Sequence, residues 1–125
     1  MLQPVPFAVR VYALPDLLAG KAHAVLCRRW KRRVKGRDWY DLVWYAGRHP
    51  ELHLGHLEAR LRESGDLVAG SLTPDDLRRR FDEAVERLNI AQAVAEVRPF
   101  VRDRQTLSLW SKVFFADIVR RITPV

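Results

Sequence analysis

From Leu17 onward, apolar residues recur with a period of about 3.6, the spacing that lines one face of an α-helix. No other feature constrains the fold of this chain as much. Leu17, Leu18, Ala22, Val25 and Leu26 make one stripe, and Leu54, Leu57 and Leu61 make another. Leu77, Phe81, Ala84, Val85 and Leu88 form a third, and Ile90, Ala93, Val94 and Val97 a fourth. Leu107, Trp110, Val113, Phe114 and Ile118 form the last and heaviest, while Leu42, Val43, Tyr45 and Ala46 mark a helix between the first two. Only the stretch from Val5 to Ala13 alternates, with Phe7, Val9 and Val11 opposite Ala8, Arg10 and Tyr12, as in a half-buried strand. The expected fold is mostly α, a bundle of about six helices with one N-terminal edge β-strand.

Stop and start signals set the boundaries. Pro15-Asp16 places proline and a carboxylate in a first helical turn, predicting a helix over 15–28. Arg29 to Gly36 has little apolar content and ends in glycine, so it reads as a loop or a fraying helix end. A second helix is expected over 37–47, stopped by His49-Pro50. Thr73-Pro74-Asp75-Asp76 is a strong start, with threonine as cap and proline at the first position. Asn89 can cap the next helix, Arg98-Pro99 ends it, and the last helix is expected over 104–121. The 125 residues fit one domain, with 1–14 as strand and lead-in and 15–125 helical. With 48% apolar residues, such a chain buries roughly two thirds of its unfolded surface. A lone strand makes no sheet, so it pairs with a partner or itself, or belongs to a larger fold.

Charge is distributed unevenly. The net charge is +7, and residues 21–48 hold nine Lys/Arg against two Asp, while the remainder holds thirteen of each sign. The whole surplus therefore sits in one stretch, able to concentrate a polyanion. Cys27 is the single cysteine, which excludes an intrachain disulfide and an all-cysteine metal site. The apolar runs stop well short of the roughly 20 residues of a membrane span, and no signal-peptide pattern opens the chain. A cytoplasmic protein is expected.

Several residues in the basic stretch have chemistry to offer. Lys21 is the only charge between Leu17 and Leu26 and shares a helix face with Leu17, Ala24 and Arg28. It reads as a phosphate clamp or as a lysine snorkelling from a helix boundary. Asp38 and Asp41 stand one helical turn apart, able to orient Lys21 or Arg28, to share a divalent metal with substrate phosphates, or to act as a base. They equally fit a first turn favoured by the helix dipole. Arg28, Arg29, Lys31, Arg32, Arg33, Lys35 and Arg37, with Trp30, Trp39, Tyr40, Trp44 and Tyr45 nearby, supply the cations and flat faces that hold single-stranded nucleic acid. Helix spacing assigns Trp44 and Tyr40 to the core. His49, His53 and His56 have spacings compatible with one helix face, but without a His-Glu-x-x-His pattern or a cysteine partner they read as a surface cluster, and no metal-ligating set is assigned. Cys27 reads as a small core residue.

The order strand, Pro15-Asp16-Leu17-Leu18-Ala19-x-Lys21, apolar helix, basic loop, Arg37-Asp38-x-x-Asp41-Leu42 resembles the nucleotidyltransferase toxins of the AbiEii type. The tail Val97-Arg98-Pro99-Phe100 and Leu107-x-x-Trp110-x-x-x-Phe114-Phe115 also resembles the end of that family. The resemblance implies a toxin of a toxin–antitoxin or abortive-infection system. It implies transfer of a nucleotide from a nucleoside triphosphate with Mg2+ onto RNA such as a tRNA end, and restraint by a cognate antitoxin. It also implies that Lys21 holds the triphosphate while Asp38 and Asp41 help complete the site. Family members begin with a half containing a Gly-Ser motif and an Asp-x-Asp metal pair, and neither precedes Lys21 here. The chain therefore reads as the C-terminal portion of such an enzyme, its strand a remnant of the nucleotidyltransferase sheet, inactive in isolation, and either a fragment, a degenerate gene product or half of a split enzyme whose catalytic half is separate. Two other readings stay open, a non-catalytic basic helical module that binds RNA or protein, and a dimerising structural protein using the Phe7 strand and the Trp110 helix.

Overall fold

A computed structural model of the chain describes residues 13–27 and 36–125. Among them stand seven helices and one short parallel pair of strands, a mostly α architecture. The expected strand over 5–13 lies almost wholly outside the described residues.

Helix α1 (Leu14–Leu26) begins with Pro15 and Asp16 in its first turn and buries Leu18, Ala19, Ala22, His23, Val25 and Leu26. Its small residues let neighbouring backbones approach, and α1 packs against the next two helices of the chain. Helix α2 (Gly36–Arg48) buries Gly36, Trp39, Leu42 and Ala46. After it, β1 (Glu51–Leu52) pairs in parallel with β2 (Thr123–Pro124). The Thr123 N–H donates to the Pro50 carbonyl at 2.8 Å and the Val125 N–H to the Leu52 carbonyl at 2.8 Å. This pair of two-residue strands ties the end of the chain to the α2–α3 connection.

Helix α3 (Leu54–Glu63) buries Leu57 and Leu61. It ends at Gly65, whose φ of +82° is the left-handed conformation that lets the Asp66 N–H return to the Leu61 carbonyl at 2.9 Å. Helix α4 (Pro74–Arg87) starts with the expected threonine cap, now a reciprocal box. The Asp76 N–H donates to Thr73 Oγ1 at 3.1 Å and the Thr73 N–H to Asp76 Oδ2 at 3.4 Å. These bonds, the backbone one foremost, hold the Asp76 carboxyl below its ordinary value. Helix α5 (Ile90–Val97) is capped by Asn89, as expected.

The expected helix over 104–121 is instead two, α6 (Arg104–Ser108) and α7 (Lys112–Arg121). Ser111 is extended, and its hydroxyl caps α7 by accepting the Phe114 N–H at 3.0 Å. The break turns Trp110 inward, 5.0 Å from the Phe115 ring, and moves the core face to Phe115, Ile118 and Val119. Val113, expected on the buried stripe, is 80% exposed. The buried side chains form one contiguous cluster from Leu18 to Ile122. At its centre α1 meets α2, α3 and α4, while α2 also packs on α5 and α7.

Candidate phosphate-binding site

Lys21 leaves α1 on its partly exposed face, beside Leu17 and Ala24, and its ammonium crosses to α2. Lys21 Nζ donates to Asp41 Oδ2 at 3.0 Å, with side-chain exposures of 34% and 43%. Both elements of the pair follow from the apolar pattern. Leu18, Ala22 and Val25 anchor α1 below Lys21, and Trp39, Leu42 and Ala46 anchor α2 below Asp41. Neither group is buried enough for the pair to be a large stabilising term, since exposed ion pairs contribute about 0–1 kcal/mol. Lys21 is thus held in a defined place while remaining open to solution. Asp38 sits one turn before Asp41, partly buried.

The face of α2 that carries Asp41 continues through Trp44, Tyr45 and Arg48. Trp44 is 42% exposed, which corrects its expected place in the core, and Tyr40 is only half-buried. The α2 tryptophan that fills the core is Trp39, 1% exposed and 5.0 Å from the Phe115 ring. The Arg48 guanidinium lies 4.6 Å from the Trp44 ring centre. Arg37 is exposed at the start of α2 with its guanidinium 5.0 Å from the Phe100 ring centre. Arg28, Arg29, Lys31, Arg32, Arg33 and Lys35 lie outside the described residues. The segment that holds them joins two buried positions, Cys27 and Gly36.

A model of the family described as "Nucleotidyl transferase AbiEii toxin, Type IV TA system" matches residues 1–115. The chain belongs to this family. No curated protein and no solved structure matches it. The match spans both halves of the Lys21–Asp41 pair and the basic segment between them, so the AbiEii resemblance read from the motifs holds at the level of the family.

A nucleotidyl transferase of this kind is expected to use magnesium, and the Lys21–Asp41 pair bears on where such an ion could sit. Asp41 spends an oxygen on the Lys21 ammonium, whose positive charge opposes a dication on the same carboxylate. The clusters of three ligating groups among the described residues include neither Asp38 nor Asp41. Those clusters also revise the histidine reading. His49 lies beyond the end of α2, while His53 immediately precedes α3 and His56 stands in its first turn. The last two converge on Asp16, a residue far away in sequence. Sequence spacing could not reveal that grouping, because Asp16 joins it only through the packing of α1 on α3. Cys27 is fully buried, as expected.

Proposed function

We propose that this AbiEii-family chain supplies the triphosphate- and RNA-binding side of a nucleotidyl transferase toxin. Lys21 holds phosphate, Asp41 and Asp38 orient it, and Arg28, Arg29, Lys31, Arg32, Arg33, Lys35 and Arg37 gather the polyanion. The reading rests on one observation above all, the open Lys21–Asp41 pair at 3.0 Å. In the chain, Lys21 and Asp41 flank a segment, Arg28 to Arg37, in which seven of ten residues are basic. A flexible ammonium placed there suits a triphosphate, which it meets as a point charge. The 125 residues contain no Asp-x-Asp pair, and on this reading the metal carboxylates are supplied by another part of the enzyme. These residues bind and orient, and transfer requires that further part. A cognate antitoxin is the expected protein partner. No helix among the described residues is long and apolar enough to cross a membrane.

Calorimetric titration with each nucleoside triphosphate, with magnesium, tests the proposal on the wild-type chain and on Lys21→Ala. Saturable binding that weakens at least about tenfold, or about 1.4 kcal/mol, in the variant is expected. An unchanged dissociation constant overturns the assignment of Lys21.

A second reading draws on the Trp44, Tyr45 and Arg48 face, whose rings and guanidinium are the set used to stack unpaired bases. A purely RNA-binding module would bind RNA with a steep salt dependence and show no competition by free triphosphate.

A further inference from the structure

We propose that Asp16, His53 and His56 form a binding site for a zinc-class divalent transition metal. Asp16 Oδ1 lies 2.6 Å from His53 Nδ1 and 3.7 Å from His56 Nδ1. The shorter contact is a hydrogen bond donated by the ring N–H of His53, and the longer one is beyond hydrogen-bond range. Two imidazoles therefore converge on one carboxylate oxygen that only one of them engages. A cation between them uses all three groups at once. The ligand atoms of the three residues lie within 4.8 Å of one another. Around a zinc ion held at about 2.0–2.2 Å, neighbouring ligands stand roughly 3.3 Å apart, so modest side-chain rotations bring the set onto one ion.

The backbone already holds these residues together. The His53 N–H donates to the Pro15 carbonyl at 3.0 Å, one residue from Asp16. The next N–H, that of Leu54, donates to the Val125 carbonyl at 3.2 Å. His56 follows His53 within the first turn of α3, on the same side of the helix. Ligands held by rigid elements lose little freedom on binding, which is what a preorganised metal site needs.

The donor set selects the metal. Two imidazoles and one carboxylate suit zinc and its neighbours, whereas magnesium and calcium take oxygen ligands. The side chains of His53, His56 and Asp16 are 53%, 35% and 27% exposed. Three protein ligands and access to solvent make an open site, with a remaining position for water or an anion. The ion would link the start of α1 to the start of α3 and to the chain end paired beside it. This site stands apart from Lys21 and is independent of the proposed phosphate binding.

Titration of the full chain, free of any histidine tag, with Zn2+ by calorimetry and with Co2+ by visible absorption tests the proposal. The expected result is one equivalent per chain, with a cobalt spectrum free of a thiolate charge-transfer band and no competition from excess Mg2+. His56→Gln and Asp16→Asn should each weaken binding by about tenfold or more, since even the outer partners of metal ligands are worth that much. Their circular dichroism should stay unchanged, and Cys27→Ser should bind as the wild type does. Absence of stoichiometric binding, or binding that survives His56→Gln, overturns the proposal. Loss of binding in Cys27→Ser, or a thiolate band, also overturns it by placing the ion at the His23, Cys27 and Asp66 set.

Discussion

Replacing Gly36 with alanine should destabilise the protein by about 2–3 kcal/mol, although the substitution lies on a helix where alanine is ordinarily the better residue. A Cβ at Gly36 would stand 2.6 Å from the Ala93 carbonyl oxygen and 2.9 Å from Glu96 Oε1. The Ala93 oxygen belongs to the backbone of α5 and cannot rotate away, so α2 and α5 must separate. Glu96 can move, but its carboxylate accepts the Gly36 N–H at 2.8 Å. Overpacking of this kind costs about 1–3 kcal/mol, and weakening a hydrogen bond to a charged group costs about 1.5 kcal/mol more. The gain in helix propensity offsets at most about 1 kcal/mol. Gly47, at the other end of α2, is the control, because a Cβ there meets nothing within 4 Å. Gly47→Ala should stabilise by about 0.5–1 kcal/mol. Urea unfolding, read as a shift of midpoint at unchanged slope, measures both. The two variants should move in opposite directions. A Gly36→Ala protein as stable as the wild type would refute the close approach of α2 to α5.

Three further outcomes follow from the same geometry. Trp39→Ala should cost about 3–5 kcal/mol in urea unfolding, because the ring is 1% exposed and packs on Phe115. Lys21→Ala should change folding stability by less than about 1 kcal/mol, as its ion pair is partly exposed, so any large loss of triphosphate binding in that variant is not a folding defect. Thr73 holds the Asp76 carboxyl below its ordinary value, so this contribution is present above about pH 4 and is lost as pH falls through the lowered Asp76 value. The difference in melting temperature between wild type and Asp76→Asn should therefore be widest near neutral pH and should close in acid.

The helices were legible where local rules act alone. The stripe of Leu77, Phe81, Ala84 and Val85 and the Thr73 cap place α4 without reference to the rest of the chain. Pro15 does the same for the start of α1. The reading failed where a tertiary choice overrode a periodic pattern. A continuous helix over 104–121 would bury Val113, but Ser111 caps a new helix and Trp110 turns inward, so Phe115 takes the place in the core. On α2 the spacing admitted several aromatics to the core, and contact with Phe115 selected Trp39 and left Trp44 part exposed. The candidate site was half visible. Lys21 stood out as the one charge in an apolar run, and Asp38 and Asp41 as carboxylates able to orient it or Arg28, but only the packing of α1 on α2 selects the Lys21–Asp41 pair. The Asp16, His53 and His56 grouping was invisible, because it depends on α1 lying beside α3.

The electrostatics of the basic stretch connect folding to ligand. Residues 21–48 carry a surplus of seven positive charges, and the Lys21–Asp41 pair uses one of the only two carboxylates in that stretch. Folding α1 against α2 fixes both ends, Cys27 and Gly36, of the segment that carries most of this charge. Repulsion therefore opposes the apolar packing of Leu18, Ala22, Trp39 and Leu42 that closes the pair. Such repulsion is screened by salt, so moderate salt should favour the folded chain, the reverse of what a fold held by surface ion pairs would show. A bound polyanion relieves the same repulsion directly. Because it binds the folded chain, in which Lys21 is held in place, better than a dispersed one, it stabilises the fold by RT ln(1 + [L]/Kd). Salt and polyanion thus push stability in one direction while competing for the same charges. At high ionic strength the stabilisation by a polyphosphate ligand should shrink even as the ligand-free protein grows more stable.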